Sequence, residues 1–242
     1  GRVGIDIETL EIIRKKDILI IEDCALAIGS KVNDVDFGLF GDISIWSLET
    51  SKTFTIGWGG VVKVNNKDCL KKISDRYETL GAVSFFQDFR RFFQLWFSLL
   101  MMKIKISGGV VIWYLMYGLR VFRRSADSVN IETKSLDGEK LGVISSSLFF
   151  YQQSLISNVF NKTNQNYKIL QNKAIELDLK CPIIERENEF IVSPRFSILV
   201  DQKQIGLILK IGKEIKVEVG RWFDQSPPSK YLLRSKVFSC AN

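Results

Sequence analysis

The sequence predicts an α/β fold, in which a central, mostly parallel sheet is layered with helices and followed by a small α+β unit. Three observations predict it. Residues 5–16 (IDIETLEIIRKK) set Ile5, Leu10, Ile12 and Ile13 near one helical face, with Asp6 and Glu8 early and Arg14, Lys15 and Lys16 late, as the helix dipole favours. Residues 18–21 (ILII) are a short continuous apolar run, the pattern of a strand buried on both faces of a parallel sheet. After residue 195 the character changes to a strand over 195–200, a helix over 202–211, a strand over 215–219 and a stop at Pro227-Pro228.

Composition limits the chemistry. Of 242 residues, 46% are hydrophobic and 25% charged, which is globular and not disordered. The net charge of +7 is concentrated in residues 84–124, where seven basic side chains face only Asp88. With no zinc-finger or RNA-binding aromatic signature, this distribution argues against a nucleic-acid partner. The chain has no histidine, which excludes Ser-His-Asp and Cys-His catalysis and removes the commonest metal ligand. Cys24, Cys69, Cys181 and Cys240 are far apart with no CxxC pair, so reduced thiols in a cytoplasmic protein and no metal site are expected. Chemistry therefore falls to lysine, carboxylates or a cofactor. The chain starts at Gly1 without a methionine and stops just after a strand-and-turn pattern, so it reads as a piece of a longer protein.

Along the chain, Glu22-Asp23 ends the first strand, where open α/β sheets put their ligands. On position alone, Asp23 reads first as the cap of a short helix over 24–28 and second as a ligand. Residues 31–41 carry the Asn, Asp and Gly of a β-turn or hairpin, leading into a strand over 42–47. A polar turn with Ser47, Ser51 and Lys52 follows, then Gly57, Gly59 and Gly60, a strand over 61–64 and an amphipathic helix over 67–80. In residues 84–122 Gln87, Arg91, Gln94 and Ser98 form one narrow polar stripe, while Phe85, Phe89, Phe92, Phe93, Trp96, Leu99 and Leu100 fill the opposite face. Lys103 and Lys105 separate this run from a second apolar one over 108–122, so neither has the roughly 20 apolar residues that a spanning helix needs. The region reads either as a buried helical hairpin or subunit interface, or as a peripheral membrane contact with basic flanks. Residues 127–142 read as a loop, and residues 144–179 as one long helix stopped by Cys181-Pro182. The expected divisions are a partial large domain over 1–83, an apolar and basic helical insertion over 84–142, a connecting helix over 143–180 and a partial small domain over 181–242.

In order and spacing, Glu22-Asp23-Cys24-Ala25, Gly41-Asp42-Ile43-Ser44, Ser47, Ser51-Lys52 and Gly57-Trp58-Gly59-Gly60 resemble the EDCAQA, GDISxFSF and SKxxxxGxGG blocks of the DegT/DnrJ/EryC1/StrS family of pyridoxal-phosphate-dependent sugar aminotransferases. The likeness extends more weakly to residues 5–27 and to residues 195–223, the latter similar to the family's small domain.

The resemblance implies a fold-type I aminotransferase with pyridoxal 5'-phosphate as cofactor. It makes Lys52 the Schiff-base lysine and proton shuttle, Asp23 the carboxylate that keeps the ring nitrogen protonated, and Ser47 a phosphate ligand. It further implies a nucleotide-linked keto sugar as substrate, glutamate as amino donor and a homodimer with shared sites. The alternative from another class is a catalytically inactive, membrane-associated remnant of the same fold that uses residues 84–124 for attachment. The sequence departs from the family pattern at Leu26, where glutamine or histidine is common, at Glu49, at Trp58 in place of the GEGG glutamate, and at residues 141–145 (LGVIS), which lack the asparagine and arginine of the NYRMS block. Some family members carry histidine in place of the lysine and act as dehydrases, which Lys52 argues against.

Overall fold

The computed structural model describes residues 7–104, 138–182, 187–215 and 217–220, with positions 112, 115, 116 and 118. The apolar run expected over 108–122 and most of the loop over 127–142 lie outside them. The chain divides into two compact units, residues 1–197 and 198–242.

The first unit opens with helix α1 (Ile7–Arg14), which buries Leu10, as its 3.6-residue period predicts. Strand β1 (Ile21–Asp23) begins later than the apolar run suggests. Residues 18 and 19 are half exposed, so this run is not a strand buried on both faces. The chain is held before the strand because the Asp42 carboxylate accepts the Ile20 N–H at 2.8 Å, while the Ile20 carbonyl accepts from the Asp42 and Ile43 amides. No helix forms over 24–28. Single hydrogen bonds, Ala27 N–H to Cys24 carbonyl and Ser30 N–H to Ala27 carbonyl, make turns, and Gly29 leaves them at φ 80° against the ring of Phe160.

Strands β2 (Lys31–Val32) and β3 (Val35–Asp36) form the expected hairpin, with Asn33 and Asp34 at φ 49° and 61°, the left-handed pair of a two-residue turn. Strand β4 (Ile43–Ser47) pairs parallel with β1 and antiparallel with β5 (Gly60–Val64), so this sheet is a mixed three-stranded one, in the order β1-β4-β5. One of its faces, carrying Ile21, Ile45 and Val62, is exposed. The other face and the turns around it bury two apolar clusters, Cys24, Ala27 and Phe37, and Leu48, Phe54 and Ile56.

Helix α2 (Lys67–Glu78) starts at Asn66, whose side chain accepts from the Asp68 and Cys69 amides. Strand β6 (Gly81–Ala82) then leads to α3 (Phe85–Ile104), one 20-residue helix that buries polar residues and leaves several aromatics exposed. Asp88 (1% exposed), Gln94 and Leu95 are buried, whereas Phe85 and Phe86 are 72% and 77% exposed, Phe89, Trp96 and Leu99 are exposed, and Phe92, Phe93 and Phe97 are half-buried. The reason is the start of the next helix. Strand β7 (Glu139–Lys140) pairs parallel with β6, and α4 (Val143–Gln153) follows directly with Gly142 at its N-cap. Gly142 has no side chain to cap the helix, and the Asp88 carboxylate does so from α3, accepting from the Ile144 amide at 2.7 Å, the Ser145 amide and the Ser145 hydroxyl. Arg91 and Gln87 bind Glu139 on the same side.

The long helix expected over 144–179 is two helices, α4 and α5 (Ile156–Glu176), broken at Ser154 and Leu155. Strand β8 (Glu189–Phe190) returns to pair with β2, and residues 191 and 192 are buried in the first unit. There the Ser30 hydroxyl donates to the Val192 carbonyl and accepts its N–H, and Asn164 donates to the Ile191 carbonyl.

In the second unit, Asp201 and Gln204 form a capping box over a 3-10 turn (Gln202–Gln204) that runs into α6 (Ile205–Glu214). The strands expected over 195–200 and 215–219 do not form among the described residues. The Val217 N–H instead bonds the Gly212 carbonyl at 2.8 Å, and Val219 folds against Gly212, which wraps the chain back on the helix it has just left.

Asp88→Ala is expected to lower the stability of the first unit by about 3 kcal/mol, because three donors lose their buried acceptor. Gly142→Ala is expected to be destabilising as well, since its Cβ would fall 2.1 Å from Oδ2 of Asp88. Urea unfolding followed by circular dichroism measures both.

Candidate active site

The Glu-Asp pair at the end of β1 divides its work because consecutive strand residues point to opposite faces. Glu22 faces the loop below: its carboxylate accepts the Gly38 and Gly41 amides and, at 3.4 Å, the Ser44 hydroxyl. The buried Ser44 hydroxyl also lies 2.6 Å from the Gly38 carbonyl, and Asn65 donates to the carbonyls of Gly38 and Gly41. Glu22 is thus a structural anchor, which the sequence reading did not single out; a carboxylate two residues before the buried Cys24, followed by a Gly-Leu-Phe-Gly loop, was the available signal. Asp42 of the same motif accepts from Ile20 and Asn66, and the Ile20 N–H first of all holds its carboxyl below the ordinary aspartate range.

Asp23 faces the other way and is exposed. It pairs with Ile45 across the parallel ladder, and Ser47 lies two residues beyond Ile45, so Asp23 and Ser47 share one face at the C-terminal ends of adjacent strands. Asp23 Oδ1 accepts the Ala25 amide at 3.0 Å, so the side chain does cap the turn that follows the strand. Its Oδ2 makes no hydrogen bond among the described residues, and both of its lone pairs remain available to a donor.

Lys52 is presented by a turn that is fixed at both ends. Before it, Leu48 is completely buried, its amide bonded to the Gly59 carbonyl and its carbonyl accepting the Ile56 amide and the Thr55 hydroxyl. After it, Phe54 is buried against Phe149 of α4 at 5.2 Å between ring centroids, and Gln152 donates to the Thr55 carbonyl. Between them the Lys52 amide bonds the Glu49 carbonyl at 3.0 Å, and the side chain is half-buried. The return of the loop needs glycine at 57 and 59, both at φ 90°, and Gly59 lies where a Cβ would meet Leu141 at 2.8 Å. The register therefore brings Asp23 and Ser47 together, while Lys52 stands on the turn that follows β4, without an ion pair to Asp23 among the described residues.

Cys24, next to Asp23, is 3% exposed, and burial, reinforced by the charges of Glu22 and Asp23, pushes its thiol up to about 12. It is a packing residue with no accessible thiolate.

Residues 1–107 match the model of the DegT/DnrJ/EryC1/StrS aminotransferase family. Among curated proteins, the chain is 43% identical over 60 residues to GDP-perosamine synthase of Escherichia coli O157:H7, covering 25% of this chain and 16% of that protein. It is 40% identical over 80 residues to GDP-perosamine synthase of Vibrio cholerae, covering 33% of this chain and 22% of that protein. Among solved structures it resembles Helicobacter pylori PseC, an aminotransferase involved in the biosynthesis of pseudoaminic acid, with a TM-score of 0.55 and 15% identity over 99% of this chain and 54% of that one. The chain thus shares its fold with part of that aminotransferase and spans about half of its length.

Two outcomes are expected. At pH 8, iodoacetamide modifies the half-buried Cys69 and Cys181 while Cys24 stays unlabelled until the protein unfolds, as read by peptide mass spectrometry. Because the folded-state pKa of Asp42 is lowered, its contribution to stability is present above the unfolded carboxyl pKa and is lost as pH falls through the folded value. Asp42→Asn should therefore flatten the stability profile below about pH 4, which acid titration of the unfolding midpoint checks.

Proposed function

We propose, from the match of residues 1–107 to the model of the DegT/DnrJ/EryC1/StrS aminotransferase family, that this protein transfers an amino group, with glutamate as donor, onto a nucleotide-linked keto sugar, using pyridoxal 5'-phosphate and Lys52. The observation that carries the reading is the placement of Asp23 and Ser47 on one sheet face at neighbouring strand ends, with Lys52 on the fixed turn that continues the second of those strands. The curated relatives named GDP-perosamine synthase support the sugar substrate.

The donor set fits the cofactor chemically. The exposed Asp23 keeps one carboxylate oxygen for a ring N–H, the Ser47 hydroxyl suits a phosphate oxygen, and Lys52 supplies the amine. When bound, pyridoxal phosphate supplies an electron sink that stabilises negative charge at the substrate carbon. Asp23 would hold the ring nitrogen protonated by its charge. Lys52 would anchor the cofactor and, once displaced by the substrate amine, move the proton at the reacting carbon as general base and acid. The buried Leu48 and Phe54 on either side of the turn restrict where that amine can swing. A homodimer in the cytoplasm is the proposed working form.

A second reading, a catalytically inactive remnant at a membrane surface, draws on the outward aromatic face of α3 with Phe85, Phe86, Phe89, Trp96 and Leu99. No helix among the described residues is long and apolar enough to cross a membrane. Liposome flotation of the full chain separates the readings: a vesicle-bound protein that never takes up cofactor supports the remnant.

The test is cofactor capture. Pyridoxal phosphate added to the full chain should give an absorbance band near ~420 nm, and borohydride should fix the cofactor's mass on the Lys52 peptide. Lys52→Ala should abolish both and lower transamination by about 10³-fold or more. A folded full chain that shows neither band nor mass addition refutes the proposal.

A further inference from the structure

The turn that carries Lys52 has two unlike arms. On the approach Thr50 and Ser51 are exposed, and the Lys52 amide bonds back to the Glu49 carbonyl. On the return, residues 54–57 are buried or half-buried, and three of them are gripped by helices. Phe54 packs against Phe149 of α4, the Thr55 carbonyl accepts the side-chain amide of Gln152 of α4 at 3.0 Å, and Gly57 lies where a Cβ would meet Leu95 of α3 at 3.2 Å. The gripped arm begins two residues after Lys52.

Packing alone does not call for a glutamine among these contacts. Phe149 and Gln152 stand three residues apart, on one face of α4, whereas the neighbouring Gln153 is exposed. An amide taken out of water is unfavourable unless it is hydrogen-bonded, and a leucine of similar size would fill the space without that cost. What the Gln152 amide adds is direction. The peptide unit between Thr55 and Ile56 is held from both sides: its N–H bonds the Leu48 carbonyl at 3.0 Å, and its carbonyl bonds Gln152. The Thr55 hydroxyl also donates to Leu48 and accepts the Gly57 N–H at 2.9 Å, so Thr55 stays at the base of the turn without Gln152. The fold therefore does not hang on the Gln152 bond, while the plane of that peptide does. The bond is delivered by a helix whose own start is fixed by Asp88.

We propose that Gln152 is a positioning residue for Lys52. By holding the Thr55 carbonyl it restricts the returning arm of the turn, and with it the swing of the amine three residues earlier. A reactive group gains from such restriction because small misplacements cost rate steeply. The inference rests on the proposed role of Lys52 as the lysine that binds the cofactor.

Gln152→Leu in the full chain tests it. Without cofactor, acetic anhydride should acetylate Lys52 about threefold faster or more relative to the exposed Lys63, as read by peptide mass spectrometry. Hydrogen exchange over residues 49–57 should rise about tenfold. With pyridoxal phosphate, the band near ~420 nm should need about tenfold more cofactor to saturate, and the pH at which half of it is lost should move. Gln152→Asn, whose amide falls one carbon short of Thr55, should change all of these in the same direction. The unsubstituted chain, brought to the same melting temperature with urea, should show neither the gain in labelling nor the displaced band. Unchanged labelling and band in both variants, or the same changes in the urea-treated chain, overturns the proposal. Cofactor capture that both variants leave untouched defeats this inference alone. Faster labelling and exchange in the variants of a chain that takes up no cofactor defeats the aminotransferase proposal alone and leaves Gln152 as the residue that holds the Lys52 turn.

Discussion

The first unit depends on one fully buried residue, Leu48, at the point where β4 stops being a strand. Its side chain fills the cluster shared with Phe54 and Ile56, onto which α4 and α5 place Leu148, Phe149, Ile156 and Phe160. Its backbone is bonded to Gly59, Ile56 and Thr55, so the loop from 48 to 60 closes on it from both directions. Apolar burial and backbone satisfaction coincide at the same residue, and a turn held in this way has little freedom. Lys52 and Thr53 inherit their positions from that closure.

A second constraint runs against the usual polarity of helices. A carboxylate leaves water for the interior only where donors replace its hydration. Asp88 finds them at the N-terminus of α4, where the backbone amides are unsatisfied and the helix dipole is positive. Fixing Asp88 there sets the rotation of α3, with Gln94 and Leu95 inward and Phe85, Phe86, Phe89 and Trp96 outward. The residues 141–145, which differ from the family's usual block, find their role in this arrangement: Gly142 leaves room for the carboxylate, and Ile144 and Ser145 bind it.

The alternation of β1 separates structure from chemistry within two residues. Glu22 closes the loop over Gly38 and Gly41 on one side of the strand, and Asp23 is left on the other side, at the sheet's C-terminal edge, beside Ser47. A shift of one residue in the pairing of β1 with β4 would exchange them. The Asp42 bond to Ile20 fixes that register at the strand's start, which is why a carboxylate far from the Lys52 turn has a bearing on the site.

Much was legible in the sequence because it rests on local spacing. Helices α1 and α2, the Asn33-Asp34 hairpin, strands β4 and β5 and the glycines at 57 and 59 follow from periodicity and from backbone conformations that few residues adopt. The motif residues Asp23, Ser47 and Lys52 were legible for the same reason, as residue types at fixed offsets. Only the tertiary structure decided what depends on distant partners. It set the start of β1, which the Asp42 carboxylate delays, and the orientation of α3, which an anion needed 56 residues later fixes. It left out the strands expected over 195–200 and 215–219 on either side of the expected helix, and folded the chain after that helix back upon it. It also set Thr53 near α5 and Arg195, residues more than a hundred positions away. Hydrophobic period records which side chains prefer to leave water, whereas the acceptor that a buried donor will find is a property of the assembled chain.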